Sequence, residues 1–192
     1  MSNAKKIGVL AMQGAFHKHC EMIERLGHFS CQVRTSEDLL TCDALIIPGG
    51  ESTVMSKLIT RNNLLDIIIH RANNGMPIFG TCAGLILLAS NAVAFELPLL
   101  RLLDVTVERN AYGRQLESFE ANLEIKGMTE PLRGIFIRAP KIIHLSDEVE
   151  VLAAFDGDPV LVRQGNILGA TFHPELTDDT RVHEFFLSML AQ

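Results

Sequence analysis

With 192 residues, 47% of them apolar and 21% charged, the chain has the length and composition of one folded domain, able to bury a core without disulfides or metals. Seventeen basic against twenty-three acidic side chains leave a net charge of −6, and no basic run exceeds Lys5-Lys6, which argues against a nucleic-acid or anionic-membrane surface. No stretch approaches the roughly 20 apolar residues of a membrane span, and the N-terminus shows no signal-peptide core, so a cytoplasmic protein is expected.

Residues 7–12 form a short apolar run that stops near Gly14, as a buried parallel strand does. Residues 15–26 then carry Phe16, Met22, Ile23 and Leu26 at helical spacing and stop at Gly27, a good C-terminal cap. Strands are expected over 31–34 and 43–47, the second broken by Pro48-Gly49-Gly50. A helix is expected over 58–72, ended by Asn73-Asn74-Gly75. Residues 77–80 read as a fourth strand, and 83–89 open another helix. Strands and helices alternating at this spacing predict a parallel sheet with helices on both faces.

The second half differs in kind. Short β-like segments at 105–108, 121–125, 134–137, 151–155 and 160–163 are joined by turns such as Asp156-Gly157-Asp158-Pro159. A returning core strand at 167–171 and an amphipathic helix at 182–190 close the chain. The expected fold class is α/β: three layers, α/β/α, around a central, mostly parallel sheet with a small additional β region, in one domain over residues 1–192.

Cysteines at 20, 31, 42 and 82 form no Cys-x-x-Cys pair, so neither a zinc site nor a disulfide framework is indicated. Cys82 stands apart. It lies in Gly80-Thr81-Cys82-Ala83-Gly84-Leu85, where a buried strand runs into a Gly-flanked cysteine and a helix begins at once. That is the cysteine version of a nucleophile elbow, and the helix N-terminus favours a reactive thiolate. A thiol nucleophile needs a base and a group that orients the base. His173-Pro174-Glu175 supplies both, and an extended backbone would point residues two apart to one side. Backbone N–H groups for an oxyanion are expected from the Gly-Gly turn at Gly50 and from Ala83, the residue after the nucleophile. His17 and His19, two apart on a helix, make a poor metal pair and read as solvated; His28, His70, His144 and His183 show no partners in sequence. Arg109 and Arg138 follow β-like runs and either bind a carboxylate or are solvated.

Taken together, Gly8-Val9-Leu10-Ala11-Met12-Gln13-Gly14-Ala15, Pro48-Gly49-Gly50-Glu51-Ser52-Thr53, the Cys82 elbow and Thr171-Phe172-His173-Pro174-Glu175-Leu176-Thr177 resemble the class I, triad-type glutamine amidotransferases, a flavodoxin-like fold. Arg109-Asn110-Ala111-Tyr112-Gly113-Arg114-Gln115 and Phe136-Ile137-Arg138-Ala139-Pro140 narrow the resemblance to the glutaminase subunit of pyridoxal 5'-phosphate synthase, over almost the whole chain. The resemblance implies a triad of Cys82, His173 and Glu175, and a glutamine pocket formed by Gly50, Glu51, Ser52, Arg109, Ile137 and Arg138. It implies that Gln13 lies near a partner interface and helps activate the site. The partner would be a barrel-shaped synthase subunit that receives the ammonia, in a hetero-oligomer. No cofactor or metal is implied. The rival readings are a glutaminase serving another synthase and a non-catalytic binding module that uses the elbow cysteine.

Overall fold

In the computed structural model, which describes residues 4–109 and 118–191, strand β3 (Ala44–Ile47) explains why the sheet is covered twice. All four of its residues are fully buried; Leu45 and Ile47 enter one apolar cluster, Ala44 and Ile46 the other. It sits inside a seven-stranded sheet. Beside it run β1 (Lys6–Leu10), β2 (Phe29–Val33), β4 (Ile78–Thr81) and β12 (Ile167–Ala170), then β11 (Asp158–Gln164) and β10 (Glu150–Phe155) at the far edge, in the order β10-β11-β12-β4-β3-β1-β2. Pairing is parallel from β2 through β12 and antiparallel at β11 and β10. The mostly parallel central sheet is therefore as expected.

Helices α1 (Phe16–Arg25) and α6 (Arg181–Ser188) cover one face with Cys20, Ile23, Val182 and Phe186. Helices α3 (Ser52–Arg61), α4 (Leu65–Asn73) and α5 (Ala83–Leu88) cover the other with Met55, Ile59, Ile68 and Leu85. The additional β region is two small sheets. One contains β5 (Ala89–Ala92), β6 (Leu103–Glu108) and β9 (Lys141–Leu145); the other pairs β7 (Ser118–Leu123) with β8 (Leu132–Ile137). Among the described residues no helix is long and apolar enough to cross a membrane. All four cysteines are free thiols.

Several boundaries depart from the sequence reading. The single helix expected over 58–72 is two, because Asn63 adopts φ 54°, a left-handed conformation that Asn tolerates and a helix does not. The first of the two starts early, at Ser52, because the Glu51 carboxylate accepts hydrogen bonds from the Thr53 and Val54 N–H groups at 3.0 and 2.9 Å. Helix α2 (Ser36–Leu40) was not expected, although Thr35 and Asp38 form a capping box at its start. The helix opened at residue 83 ends at Leu88, and Ala89 turns directly into β5.

Strand register gathers the loops that matter. In the parallel pairs Thr81 lies opposite Ala170 and Ile47 opposite Gly80. The loops after β3, β4 and β12 thus leave the sheet side by side at its C-terminal edge, where open α/β sheets place their ligands.

Candidate active site

Cys82 caps that edge. Its backbone takes φ 48° and ψ −104°, a sparsely populated conformation for a residue with a side chain, and its N–H donates to the Ala170 carbonyl at 2.8 Å. The elbow closes only because residue 84 is glycine: a Cβ there would lie 2.0 Å from the Ile47 carbonyl oxygen. Three residues past the end of β12, the His173 N–H donates to the Ile135 carbonyl at 2.8 Å, which fixes the imidazole beside the sulfur. Pro174–Leu176 then forms a 3₁₀ turn instead of the extended backbone expected, since proline starts a helical turn well. The two side chains still meet: His173 Nδ1 lies 2.8 Å from Glu175 Oε1.

His173, Glu175 and Cys82 are 7%, 2% and 7% exposed. Burial opposes charge on His173, yet hydrogen bonds to the Cys82 sulfur and the Glu175 carboxylate, with the charges of both, raise its pKa to about 10. Burial likewise pushes the Glu175 carboxyl up, but His19 and His173 beside it outweigh that and hold it below the usual carboxylate range. An acid at Nε2 of His173, a sulfur within its reach and a carboxylate behind it form one connected line.

The line ends in a pocket of about 470 Å³. Gln13, Gly50, Glu51, Ser52, Cys82, Ala83, Arg109, Ile137, Arg138 and His173 all line it, so every residue singled out as catalytic, oxyanion-stabilising, substrate-binding or activating borders the pocket except Glu175, which stands behind His173. Gly49 belongs to it too, and a Cβ there would meet His173 Cε1 at 2.3 Å. Gln13 accepts a hydrogen bond from the Glu51 N–H at 2.7 Å, tying the loop after β1 to the Gly-Gly turn. Arg109 lies 3.5 Å from Glu51 Oε1 and over the Phe95 ring at 5.2 Å. Ile137 presents its carbonyl to the Cys82 thiol at 3.7 Å, and Arg138 follows it with φ 44°. Asn110, Ala111, Tyr112, Gly113, Arg114 and Gln115 lie outside the described residues. A second groove of about 590 Å³ between Glu124 and Ala154 is lined by no cysteine or histidine.

One expectation fails. His17 is exposed, but His19 is fully buried, as is His183. Their rings meet, His19 Nδ1 lying 2.9 Å from His183 Nε2, while His19 Nε2 lies 3.3 Å from Thr81 Oγ1 and 3.5 Å from Glu175 Oε2. The signal was present: His19 falls three residues after Phe16 and three before Met22, on the apolar stripe of α1, and His183 sits between Val182 and Phe186 on that of α6.

Comparison with known proteins gives the family. The family model described as "SNO glutamine amidotransferase family" matches residues 9–192. A protein of Geobacillus thermodenitrificans named "Pyridoxal 5'-phosphate synthase subunit PdxT" is 51% identical over 187 residues, covering 97% of this chain and 96% of its own length. One of the same name from Fervidobacterium nodosum is 50% identical over 186 residues, covering 97% of both. A solved structure described as that of a glutamine amidotransferase superposes with a TM-score of 0.93 at 48% identity, covering 97% of this chain and 99% of the other.

Proposed function

The chain belongs to the SNO glutamine amidotransferase family, and we propose that it is the cytoplasmic glutaminase subunit of a pyridoxal 5'-phosphate synthase, hydrolysing L-glutamine and passing the ammonia to a synthase subunit. The observation that carries this reading is the line Cys82, His173, Glu175 opening on a pocket in a chain half identical to PdxT proteins over nearly its full length. The synthase subunit, a barrel, builds the coenzyme from a pentose phosphate and a triose phosphate.

The chemistry is a two-step acyl transfer. The Cys82 thiolate adds to the side-chain amide carbon of glutamine, and the N–H groups of Gly50 and Ala83 hold the oxyanion. The His173 imidazolium gives its proton to the departing ammonia, leaving a thioester. Neutral His173 then takes a proton from water, which attacks the thioester and releases glutamate. Glu175 keeps the imidazole oriented and stabilises its charge. In the pocket, Glu51, Ser52, Arg109, Ile137 and Arg138 surround the amino-acid end of the substrate. Gln13, bonded to the Glu51 N–H, couples the Gly-Gly turn to the docked partner. Ammonia released into bulk water is protonated at neutral pH and lost as a nucleophile, which is the physical reason to hydrolyse glutamine only against a partner. The test is glutamate release by the purified chain with and without the synthase subunit. Release is expected to rise strongly on adding the subunit and to vanish in Cys82→Ala. Equal activity without the subunit would point to another acceptor, and none under either condition would leave a binding module.

A further inference from the structure

Glu175 has two oxygens, and the triad uses one. Oε1 takes His173 Nδ1 at 2.8 Å. Oε2 is fully buried and, among the described residues, has no hydrogen-bond partner; His19 Nε2 stands 3.5 Å away. A buried carboxylate oxygen facing no donor is costly, so the protonation of His19 matters.

The surrounding atoms determine that protonation. His19 faces Thr81 at the end of β4, Glu175 on the 3₁₀ turn, His183 on α6 and the edge of the Phe79 ring. Burial keeps His183 neutral, with its pKa lowered to about 3, and lowers that of His19 as well. Two neutral imidazoles 2.9 Å apart share one proton between His19 Nδ1 and His183 Nε2. Were it on His19 Nδ1, the bare Nε2 could accept from the Thr81 hydroxyl at 3.3 Å, but its lone pair would also face the Glu175 carboxylate at 3.5 Å, lone pair against anion. With it on His183 Nε2, His19 Nδ1 accepts and His19 Nε2–H points at Oε2. His183 Nδ1, buried without a partner among the described residues, is then the deprotonated nitrogen.

We propose that His19, held in its Nε2-protonated form by His183, is a positioning residue that fixes the free oxygen of Glu175, extending the line Cys82–His173–Glu175 backwards through His19 to His183. The inference rests on the triad reading of the site. His19 lies outside the pocket, so it acts through Glu175 and touches no substrate. The contact of the Thr81 hydroxyl with the same ring also ties it to the residue preceding the nucleophile.

The test measures glutamate release by the chain assembled with its synthase subunit, with rates expressed per Cys82 titrated by a glutamine-like electrophile. His19→Leu is expected to lower kcat about 10- to 100-fold, the range seen for outer partners that orient a catalytic histidine on a metal, with KM for glutamine unchanged. His19→Gln, whose amide N–H reaches toward the place of Nε2, is expected to restore most of kcat. A kcat for His19→Leu equal to wild type, or a His19→Gln as slow as His19→Leu, would overturn the proposal. Should the leucine variant fail to fold, ¹⁵N NMR of the wild-type histidines decides: an Nε2-protonated His19 sustains it and an Nδ1-protonated His19 overturns it. Wild-type activity independent of Cys82 would instead defeat the triad reading, and the NMR result would still stand apart from it.

Discussion

The two sides of Glu175 are built on opposite principles. Toward the pocket stand a histidine whose charge is favoured, with a pKa raised to about 10, and a cysteine held at φ 48°. Toward the interior stand His19, His183 and Thr81, all fully buried, where burial lowers the pKa of both histidines. One side is charged, strained and open to a ligand; the other is neutral and sealed by Phe79 and Phe186. A carboxylate can therefore be fastened by an ion pair in front and by neutral donors behind. The sealed side supplies rigidity without adding a second cation to compete with His173 for the same anion.

Variants of single residues break this contrast at different points. Cys82→Ala removes the front alone: glutamate release should fall by about 10⁴-fold or more while the melting temperature stays near wild type, and retained activity would dismiss the front side altogether. Glu175→Gln strikes both sides at once, since an amide cannot accept from His173 and His19 together, and should cost about 10³-fold in kcat. Gly49→Ala pushes a methyl group to 2.3 Å from His173 Cε1; displacing the ring by about 1 Å should cost about 10²-fold, read as kcat with the fold preserved by circular dichroism.

The sides should also separate by pH. The folded pKa of His173, about 10, lies above its ordinary 6.5, so the stability it gives is complete below that ordinary value and is lost as pH climbs toward 10. His183, lowered to about 3 from 6.5, works in reverse: unfolding lets it take a proton, so stability is lost as pH falls below 6.5. His173→Gln should flatten the alkaline limb of a urea-midpoint profile, and His183→Leu the acid limb. Exchange of these effects would contradict the assignment of charge. The smallest effect belongs to His17→Ala, which changes an exposed neighbour of His19 and should leave kcat within about twofold.

The front was legible in the sequence because each piece of it is local. A strand, two glycines and a cysteine fall within a few residues, and base and orienting acid lie two apart, so spacing alone suggested a triad. The parallel core was legible for the same reason, since runs such as Ala44–Ile47 are apolar without interruption. The back was hidden because it is assembled from α1, β4 and α6, with His19 and His183 separated by 164 positions. The apolar stripe marks each histidine as buried but does not say which side chain it meets. β5 and β9 were missed since their pairing with β6, with register shifts between Ala89 and Asn91 and between Thr106 and Val107, leaves weak alternation. The break at Asn63 was unmarked because φ is a property of the turn, not of the residue type alone.

The most direct test of the central claim treats the chain, in the presence of its synthase subunit, with a diazo ketone analogue of glutamine and maps the adduct by mass spectrometry. Modification of Cys82 alone among the four cysteines is expected, prevented by excess glutamine and absent in Cys82→Ala. Modification of Cys20, Cys31 or Cys42 in its place, or labelling of Cys82 that glutamine does not prevent, would contradict it.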